Sequence, residues 1–340
     1  MKALITGISG RVGANLAHQL QRRGYDIRGL VMPNDPQAHK VAQLGVEIIE
    51  ADLADAESVR AAADGVDVIL HQGAQIPQGK DPAERMLDVN TRATLSLLEG
   101  ALASCVPLKR FVLASTYQTY NPFITSDVTF SEETPQEPID IYALTKLLSE
   151  EICLSYMREY GTPVTMLRYC SIKAANEVLG MLNPASLNYF IELTLAKNRI
   201  PWFDAEHIDE TKAIMSDLMR TPEAVCAVTD AKGKPWMVVV TDVRDVVAGT
   251  IQALESDAAV GEAFNMTGCP PVTYAHAARL IADATGRPYR EVTMPFFRGA
   301  QASTEKARAM LGYDPQYTFD KMVETALAYE RGEMIDQIPN

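Results

Sequence analysis

The chain has 340 residues, 44 acidic against 31 basic, for a formal charge of −13 at pH 7. It is long enough to bury a real core, and the acidic excess without a stripe of clustered Lys and Arg argues against a nucleic-acid partner, because phosphate backbones are held through such clusters. Five irregularly spaced cysteines with no Cys-x-x-Cys pair give neither a disulfide framework nor a zinc motif, and no run of about eighteen apolar residues offers a membrane span.

The chain opens on strand-like "KALITG" (2–7), with no basic region and apolar core ahead of it, so no signal peptide is read and a soluble cytoplasmic protein is expected. Further candidate strands are "DIRGLV" (26–31), "VEIIEA" (46–51), "VDVILH" (66–71), "RFVLAS" (110–115) and "VTMLRY" (164–169), separated by segments rich in Ala, Leu, Glu and Arg. Near-continuous apolar strands alternating with helices predict an α/β fold: a doubly wound, Rossmann-type parallel sheet that binds its ligand beyond the carboxyl ends of the strands. After Tyr169 the rhythm changes. Residues 178–204 and 210–230 read as mostly helical, "WMVVVTDV" (236–243) as a strand, 244–255 as a helix and "EAFNMTG" (262–268) as another strand. The expected division is a dinucleotide-binding domain over 1–172, rejoined by roughly 236–267, with a smaller, mostly helical substrate lobe built from 173–235 and 268–340. The stretch "WFDAEHIDE" (202–210) sets a histidine among acids and reads as an exposed polar loop, not a metal site.

"LITGISGRVGANLAHQL" (4–20) places Gly7, Gly10 and Gly13 between the first strand and the first helix. Gly7 permits the tight turn, Gly10 lets the main chain approach a pyrophosphate, and Gly13 allows close packing of helix on sheet; the helix start offers unpaired amides to the phosphates. Ser9, Arg11 and Val12 complete this cofactor-binding turn. No Gly-Lys-Ser or Gly-Lys-Thr follows, so a dinucleotide is the expected occupant. Asp52 can accept a hydrogen bond from adenine with Leu53 packed on the ring, or cap the segment after it. Gly73 and Ala74 are small enough to let the cofactor lie against the backbone. The acid that an NAD site usually places at the end of the second strand is replaced by Val31 or Met32, and Met32 is counted with the adenosine site. Asp35 can reach back, or Arg28 and Lys40 can favour a ribose phosphate, which leaves NAD and NADP both open.

In "IYALTKLLSE" (141–150), Tyr142 and Lys146 are four residues apart and share a helix face. A lysine beside a phenol favours phenolate and can bond the nicotinamide ribose, which fits a tyrosine for acid and base work. For an isolated match, an aromatic turned inward with a snorkelling lysine is the simpler account. Here the strand "RFVLAST" (110–116) ends in Ser115 and Thr116 at the same sheet edge. Thr116, with Ser115 as the adjacent alternative, can hold the substrate oxygen while Tyr142 moves its proton.

On "TGISGRVG" (6–13), "ADL" (51–53), "HQGA" (71–74), "DVNTRATLSLLEGA" (88–101), "VLASTYQTYN" (112–121), "YALTK" (142–146), "LRY" (167–169), "GEAFNMTG" (261–268) and "KARAMLGYDP" (306–315), the chain resembles an extended short-chain dehydrogenase/reductase of the NAD-dependent epimerase/dehydratase family, over most of its length. The resemblance implies Thr116, Tyr142 and Lys146 as the catalytic set. It also implies that Asn90 helps to organise the site from the middle of its helix. A symmetric dimer through helices at 88–102 and 143–160 is common in this family and is expected here.

The sequence departs from the sugar-nucleotide members where they bind a diphosphate. Ser171 stands where they carry an asparagine, and Val238 stands near their arginine. Loss of such a clamp removes about 2 kcal/mol or more of ligand interaction, so a small polyhydroxylated or carboxylated substrate without a diphosphate is expected. Arg168, Lys173, Asn176, Arg298 and Gln301 are candidates to meet it, with Met181, Leu182 and Tyr189 shaping the pocket. Arg244 and Asp245 read as a pair capping the returning helix. The leading expectation is an NAD(P)-dependent oxidoreductase interconverting a secondary alcohol and a carbonyl; the alternative is an epimerase that keeps its cofactor. A dehydratase lacks its extra acids, since Tyr117 and Gln118 follow Thr116, and a non-catalytic regulator leaves the Thr, Tyr and Lys set unexplained.

Overall fold

The computed structural model describes residues 1–77, 82–122, 127–196 and 205–340. Among them, seven strands form one parallel sheet: β1 (Lys2–Thr6), β2 (Asp26–Val31), β3 (Glu47–Glu50), β4 (Val68–His71), β5 (Arg110–Thr116), β6 (Val164–Tyr169) and β7 (Ala263–Met266), in the spatial order β7, β6, β5, β4, β1, β2, β3. The six strands read from the first half of the sequence are all present, and "EAFNMTG" supplies the seventh.

Both faces of the sheet are buried except at the edge strand β3, which is why its inner strands read as apolar runs without strict alternation. Along β1, Ala3 and Ile5 enter one core and Leu4 the other, as the two-residue period of a strand requires. Helices α1 (Arg11–Arg22) and α4 (Val243–Glu255) cover the first face; α2 (Ala93–Ala103), α3 (Ile141–Tyr160) and the helix Ala56–Ala62 cover the second. The chain runs outward from β1 through β2 to β3, then crosses back to β4 on the other side of β1. That reversal opens a crevice at the carboxyl ends of β1 and β4.

A third core lies beyond the sheet. It gathers Leu182, Leu187, Val225, Val228, Trp236, Tyr274, Ile281, Met294 and Phe319. The Trp236 indole is 1% exposed and donates to the Phe296 carbonyl at 2.7 Å. Here the structure differs from the sequence reading. The helix Ala205–Leu218 stops before Thr221-Pro222, where proline disfavours helical geometry in its predecessor, and Val225–Asp230 is a strand paired in parallel with Tyr289–Met294. "WMVVVTDV" is not one strand. Met237–Val238 pairs antiparallel with Val272–Thr273, and Thr241–Asp242 pairs in parallel with Ile172–Lys173. His207 lies in the helix Ala205–Leu218 and not in a loop, while 202–204 of that stretch fall outside the described residues. Arg244 pairs with Asp242, the cap of α4, at 2.7 Å, whereas Asp245 accepts from the amides of Gln316 and Tyr317. Among the described residues, no helix is long and apolar enough to cross a membrane.

Candidate active site

The glycine turn is built by close approach. Gly7 has φ +63°, and a Cβ there would stand 2.7 Å from Gly73 Cα; a Cβ on Gly13 would stand 2.2 Å from the Gly7 carbonyl oxygen. β1, β4 and α1 therefore meet at a bare backbone surface with the α1 amides open at its end, a cradle that fits a pyrophosphate. Gly10 is the residue preceding α1, and Val12 packs into the core beneath it. Leu53 lies against Gly73, with a Cβ on Gly73 falling 2.7 Å from Leu53 Cδ1, and Ala74 follows at the mouth of the crevice. Met32 is 52% exposed just past β2, open to a ring.

Three side chains of this region have partners that sequence alone did not reveal. The Asp52 carboxylate takes two bonds from Arg85, at 2.8 and 2.9 Å, and the Ala54 amide at 2.9 Å. Its acidity is enhanced by those donors, although burial opposes them as the largest single influence. Arg11, in the glycine turn, donates to Glu177 through Nε and Nη2 of its guanidinium and thereby ties the turn to the segment after β6. Ser9 donates to Asp35, which also accepts the Gln37 amide at 2.8 Å. Asp35 does reach back, placing an acid beside the turn where ribose hydroxyls are met in NAD sites. Arg28 points elsewhere, to Glu47 at 2.9 Å and the carbonyls of Ala62 and Asp64 at 3.0 and 2.6 Å.

Thr116, Tyr142 and Lys146 come together at the carboxyl end of β5. Asp140 caps α3, accepting the Ala143 amide at 2.8 Å, and sets Tyr142 on the first turn. Burial first and the Asp140 charge second push the Tyr142 phenol up to about 12, against the lowering influence of Thr116 beside it. Neighbouring residues of a strand face opposite ways, and Ser115 accordingly turns from the pocket and donates to Glu150. Lys146 is 3% exposed and donates to the Ala114 carbonyl at 2.8 Å. Burial pushes it down to about 8, opposed by Glu150. His71, at the end of β4, is pushed down to about 3 by burial and then by Lys146, and its Nδ1 meets the Thr6 hydroxyl at 2.7 Å.

Asn90 stands in a π-helical turn, Leu87–Arg92, that leads into α2. Its side chain accepts from the Gln75 amide at 2.7 Å and donates to the Gln75 carbonyl at 3.1 Å and to Thr145 at 3.0 Å. It thus joins the backbone after β4 to α3 between Tyr142 and Lys146. A second buried group lies behind the set. Glu150 holds Arg168 at 2.6 Å and Gln136 at 3.1 Å, and Arg168 donates on to Tyr120. Arg168 is therefore committed to this network and not to a ligand. Sequence reading missed Glu150, Asp140, Arg85 and Glu177. Asp140 had a signal, being a cap residue directly before a helix; the others depend on contacts distant in sequence or on the depth of the core.

One cavity of about 360 Å³ adjoins Tyr142, within the usual range for small-molecule sites. Met181, Leu182 and Tyr189 line it as expected, together with Lys173, Arg298, Tyr117, Tyr274 and Asp140. Asn176 and Gln301 are bonded elsewhere, to Asn340 at 2.6 Å and Thr129 at 3.2 Å.

Known proteins align with this arrangement along nearly its whole length. The family model for the NAD dependent epimerase/dehydratase family matches residues 3–267. The UDP-glucose 4-epimerase of Corynebacterium glutamicum is 27% identical over 339 residues, covering 97% of this chain and 95% of that protein. The UDP-glucose 4-epimerase of Streptococcus mutans is 26% identical over 360 residues, covering 97% and 96%. Among solved structures, a short-chain dehydrogenase/reductase superfamily protein from Agrobacterium tumefaciens with bound NAD has a TM-score of 0.80 at 28% identity, with 98% of each chain covered.

The two epimerases correct the expectation of a substrate without a diphosphate, which had been drawn from Ser171 and Val238: full-length relatives of this chain are named for diphosphate-linked sugars. The physical reason is that two absent side chains do not empty a wall of donors. Ser171 and Val238 both line the cavity, and the Lys173 ammonium stands two residues beyond Ser171 in the same wall. Motifs, parallel sheet and relatives converge: the chain belongs to the NAD dependent epimerase/dehydratase family and is an NAD(P)-dependent enzyme.

Proposed function

We propose that this enzyme is a nucleotide-sugar epimerase that keeps its NAD through the catalytic cycle, inverting one secondary alcohol of the sugar by oxidation and re-reduction. The observation that carries the reading is the Tyr142 phenol beside Thr116, in the wall of a cavity at the sheet edge that bears the glycine turn. The full-length UDP-glucose 4-epimerase relatives support the epimerase alternative over a dehydrogenase that releases reduced cofactor. Asp35 beside Ser9 supports NAD as the dinucleotide.

NAD held on the glycine turn supplies the hydride acceptor and, on return, the donor. Thr116 holds the reacting oxygen. Tyr142 takes the hydroxyl proton as the carbonyl forms and gives it back as the alcohol is restored. Lys146 lies one helical turn from Tyr142 and serves the nicotinamide ribose and the tyrosinate. Asn90 fixes the spacing of these groups by tying α3 to the backbone at Gln75. Between the two transfers the carbonyl compound turns within the cavity, which Met181, Leu182 and Tyr189 help to line. We assign the turn and sheet, residues 1–172 with roughly 236–267, to the cofactor, and 173–235 with 268–340 to the substrate. Five free cysteines accord with action in the reducing cytoplasm.

The test is incubation of purified protein, without added nicotinamide, with UDP-glucose, UDP-galactose and UDP-glucuronate, following the sugar stereocentres by NMR. Epimer formation that stops in Tyr142→Phe is expected. No epimer without added nicotinamide, with NADH accumulating once NAD is supplied, would restore the dehydrogenase reading.

A further inference from the structure

We infer that residues 337–340 form a strap that fastens one flank of the cofactor crevice, so that NAD enters and leaves when the strap lifts; the inference rests on the reading of a retained cofactor and deepens it. The sequence there is "QIPN". Pro339 disfavours helical geometry in its predecessor and so favours an extended Ile338, and an extended residue presents its N–H and C=O to the same side. One carboxamide can then meet both. Asn15 of α1 does so at Ile338, accepting from the amide at 2.7 Å and donating to the carbonyl at 2.9 Å. Asn176 repeats the arrangement at Asn340, accepting from the amide at 2.9 Å and donating to the main-chain oxygen at 2.6 Å. Pro339, between the two clasps, has no N–H to satisfy.

The strap joins the two ends of the Arg11–Glu177 pair. Asn15 stands one helical turn after Arg11 and donates to its carbonyl at 2.9 Å, while Asn176 directly precedes Glu177. Asn340 Nδ2 donates at 3.2 Å to Glu177 Oε1, the oxygen that also accepts from Arg11 Nη2. Gln337 Oε1 accepts the Ala175 amide at 3.0 Å. In the sheet, β1 and β6 are separated by β4 and β5. A bond from the turn after β1 to the segment after β6 therefore spans the carboxyl edge of the two strands between them, and a dinucleotide running from the glycine turn to Lys146 lies along that same edge. The pair flanks the seated cofactor, and the strap holds the pair.

The same contacts let the strap detach. Among the described residues, none of its main-chain groups bonds to another main chain, so it lifts without breaking a helix or a sheet ladder. Local opening of this kind costs far less than global unfolding. Ile338 is only partly buried, at the margin of the first core. Asn176 is exposed, so water competes for the groups of its clasp. Among the described residues, the buried Gln337 Nε2 has no partner, a deficit that weakens the closed state.

The experiment measures release of NAD from the loaded protein and its uptake by the emptied protein, in wild type, in a chain lacking residues 337–340, and in Asn176→Ala and Pro339→Gly. Pro339→Gly removes no hydrogen bond and only loosens the chain, so it moves the rates through the strap alone. Asn176→Ala is expected to speed both release and uptake by about tenfold, Pro339→Gly by about threefold, and the deletion by at least as much as Asn176→Ala, with Kd nearly unchanged because a strap alters both rates together. If the deletion fails to fold, the two single replacements decide the matter. Unchanged release in Asn176→Ala and Pro339→Gly would overturn the inference. Faster release with unchanged uptake would also overturn it, by making the segment part of the binding site. If wild type loses its cofactor within each turnover while the variants exchange it faster still, the retained-cofactor reading falls and the strap stands. If wild type binds no NAD, both fall.

Discussion

Lys146 gives its hydrogen bond to the carbonyl of Ala114, at 2.8 Å, while the Tyr142 phenol one helical turn away lies beside Thr116. The two members of the Tyr-x-x-x-Lys pair thus face alternate positions of a single strand, β5. Sequence reading placed the lysine beside the phenol as the source of its acidity. In the structure, burial and Asp140 dominate the phenol instead, and it is a firm proton holder. Tyr142→Phe keeps the ring and removes the proton, so turnover should fall by about 100-fold or more, with the dinucleotide still bound. Steady-state rates and the nicotinamide content of the purified variant check this together.

The Asp140 charge raises the Tyr142 phenol, so removing that charge must lower it. Asparagine caps helices about as well as aspartate, and Asp140→Asn therefore changes the charge with little loss of the α3 start. In the oxidising direction Tyr142 works as a base, and the rate rises with pH as the phenol loses its proton. The rising limb of the kcat profile in Asp140→Asn is expected to move to lower pH; an unmoved limb would remove Tyr142 as the titrating base.

His71 supplies a pH-dependent part of the stability. Its folded value of about 3 lies below the ordinary histidine value of 6.5, so on acidification the unfolded chain takes the proton first. The contribution is complete above pH 6.5 and is lost as pH falls toward 3. Asp245 has the opposite sign over part of this window, because burial raises it to about 6 and its contribution is lost as pH rises through that value. Denaturant midpoints of wild type and His71→Gln should therefore differ most near neutrality and converge in acid, by a few kcal/mol overall.

The glycine turn is predicted to tolerate no side chain at Gly13. A Cβ there would lie 2.2 Å from a backbone oxygen that cannot rotate away, whereas at Gly180 the nearest atom is 3.7 Å off. Gly13→Ala should cost about 3 kcal/mol of folding stability and weaken dinucleotide binding, with Gly180→Ala close to neutral. Thermal unfolding with and without NAD distinguishes the two.

Retention of the cofactor is expected to depend on the Arg11–Glu177 pair, which connects the glycine turn to the segment after β6. Glu177→Gln keeps the shape and removes the charge. Loss of a charge-assisted bond of this kind corresponds to roughly tenfold faster release of NAD, measurable by chasing bound NAD with a fluorescent analogue.

The sheet could be read from the sequence because its inner strands are covered on both faces and so carry continuous apolar runs, as in "ALI" (3–5) and "FVLA" (111–114). The glycine turn and the Tyr142 helix could be read because their chemistry is local: three glycines in seven residues, and two side chains one turn apart. The outer lobe was harder. "YREVTM" (289–294) becomes a strand only by pairing with 225–230, and nothing within six residues specifies a partner so far away. The same holds for Glu177 and Arg85, whose roles are set by partners 166 and 33 positions distant. Glu150 gives no local sign of its role, because only the depth of the core makes it 2% exposed and obliges it to hold Arg168.

The π-helical turn at Leu87–Arg92 has a consequence for how this scaffold tolerates change. A π-turn carries one more residue than the α-helix could accommodate at that point, so excising a single residue there would heal the helix into regular geometry. Every side chain on one flank would then swing by about 100° relative to the other, and Asn90 would lose either Gln75 or Thr145. The molecule holds an irregular winding where a smoother one lies a single codon away, and length polymorphism in this stretch should be far rarer than substitution.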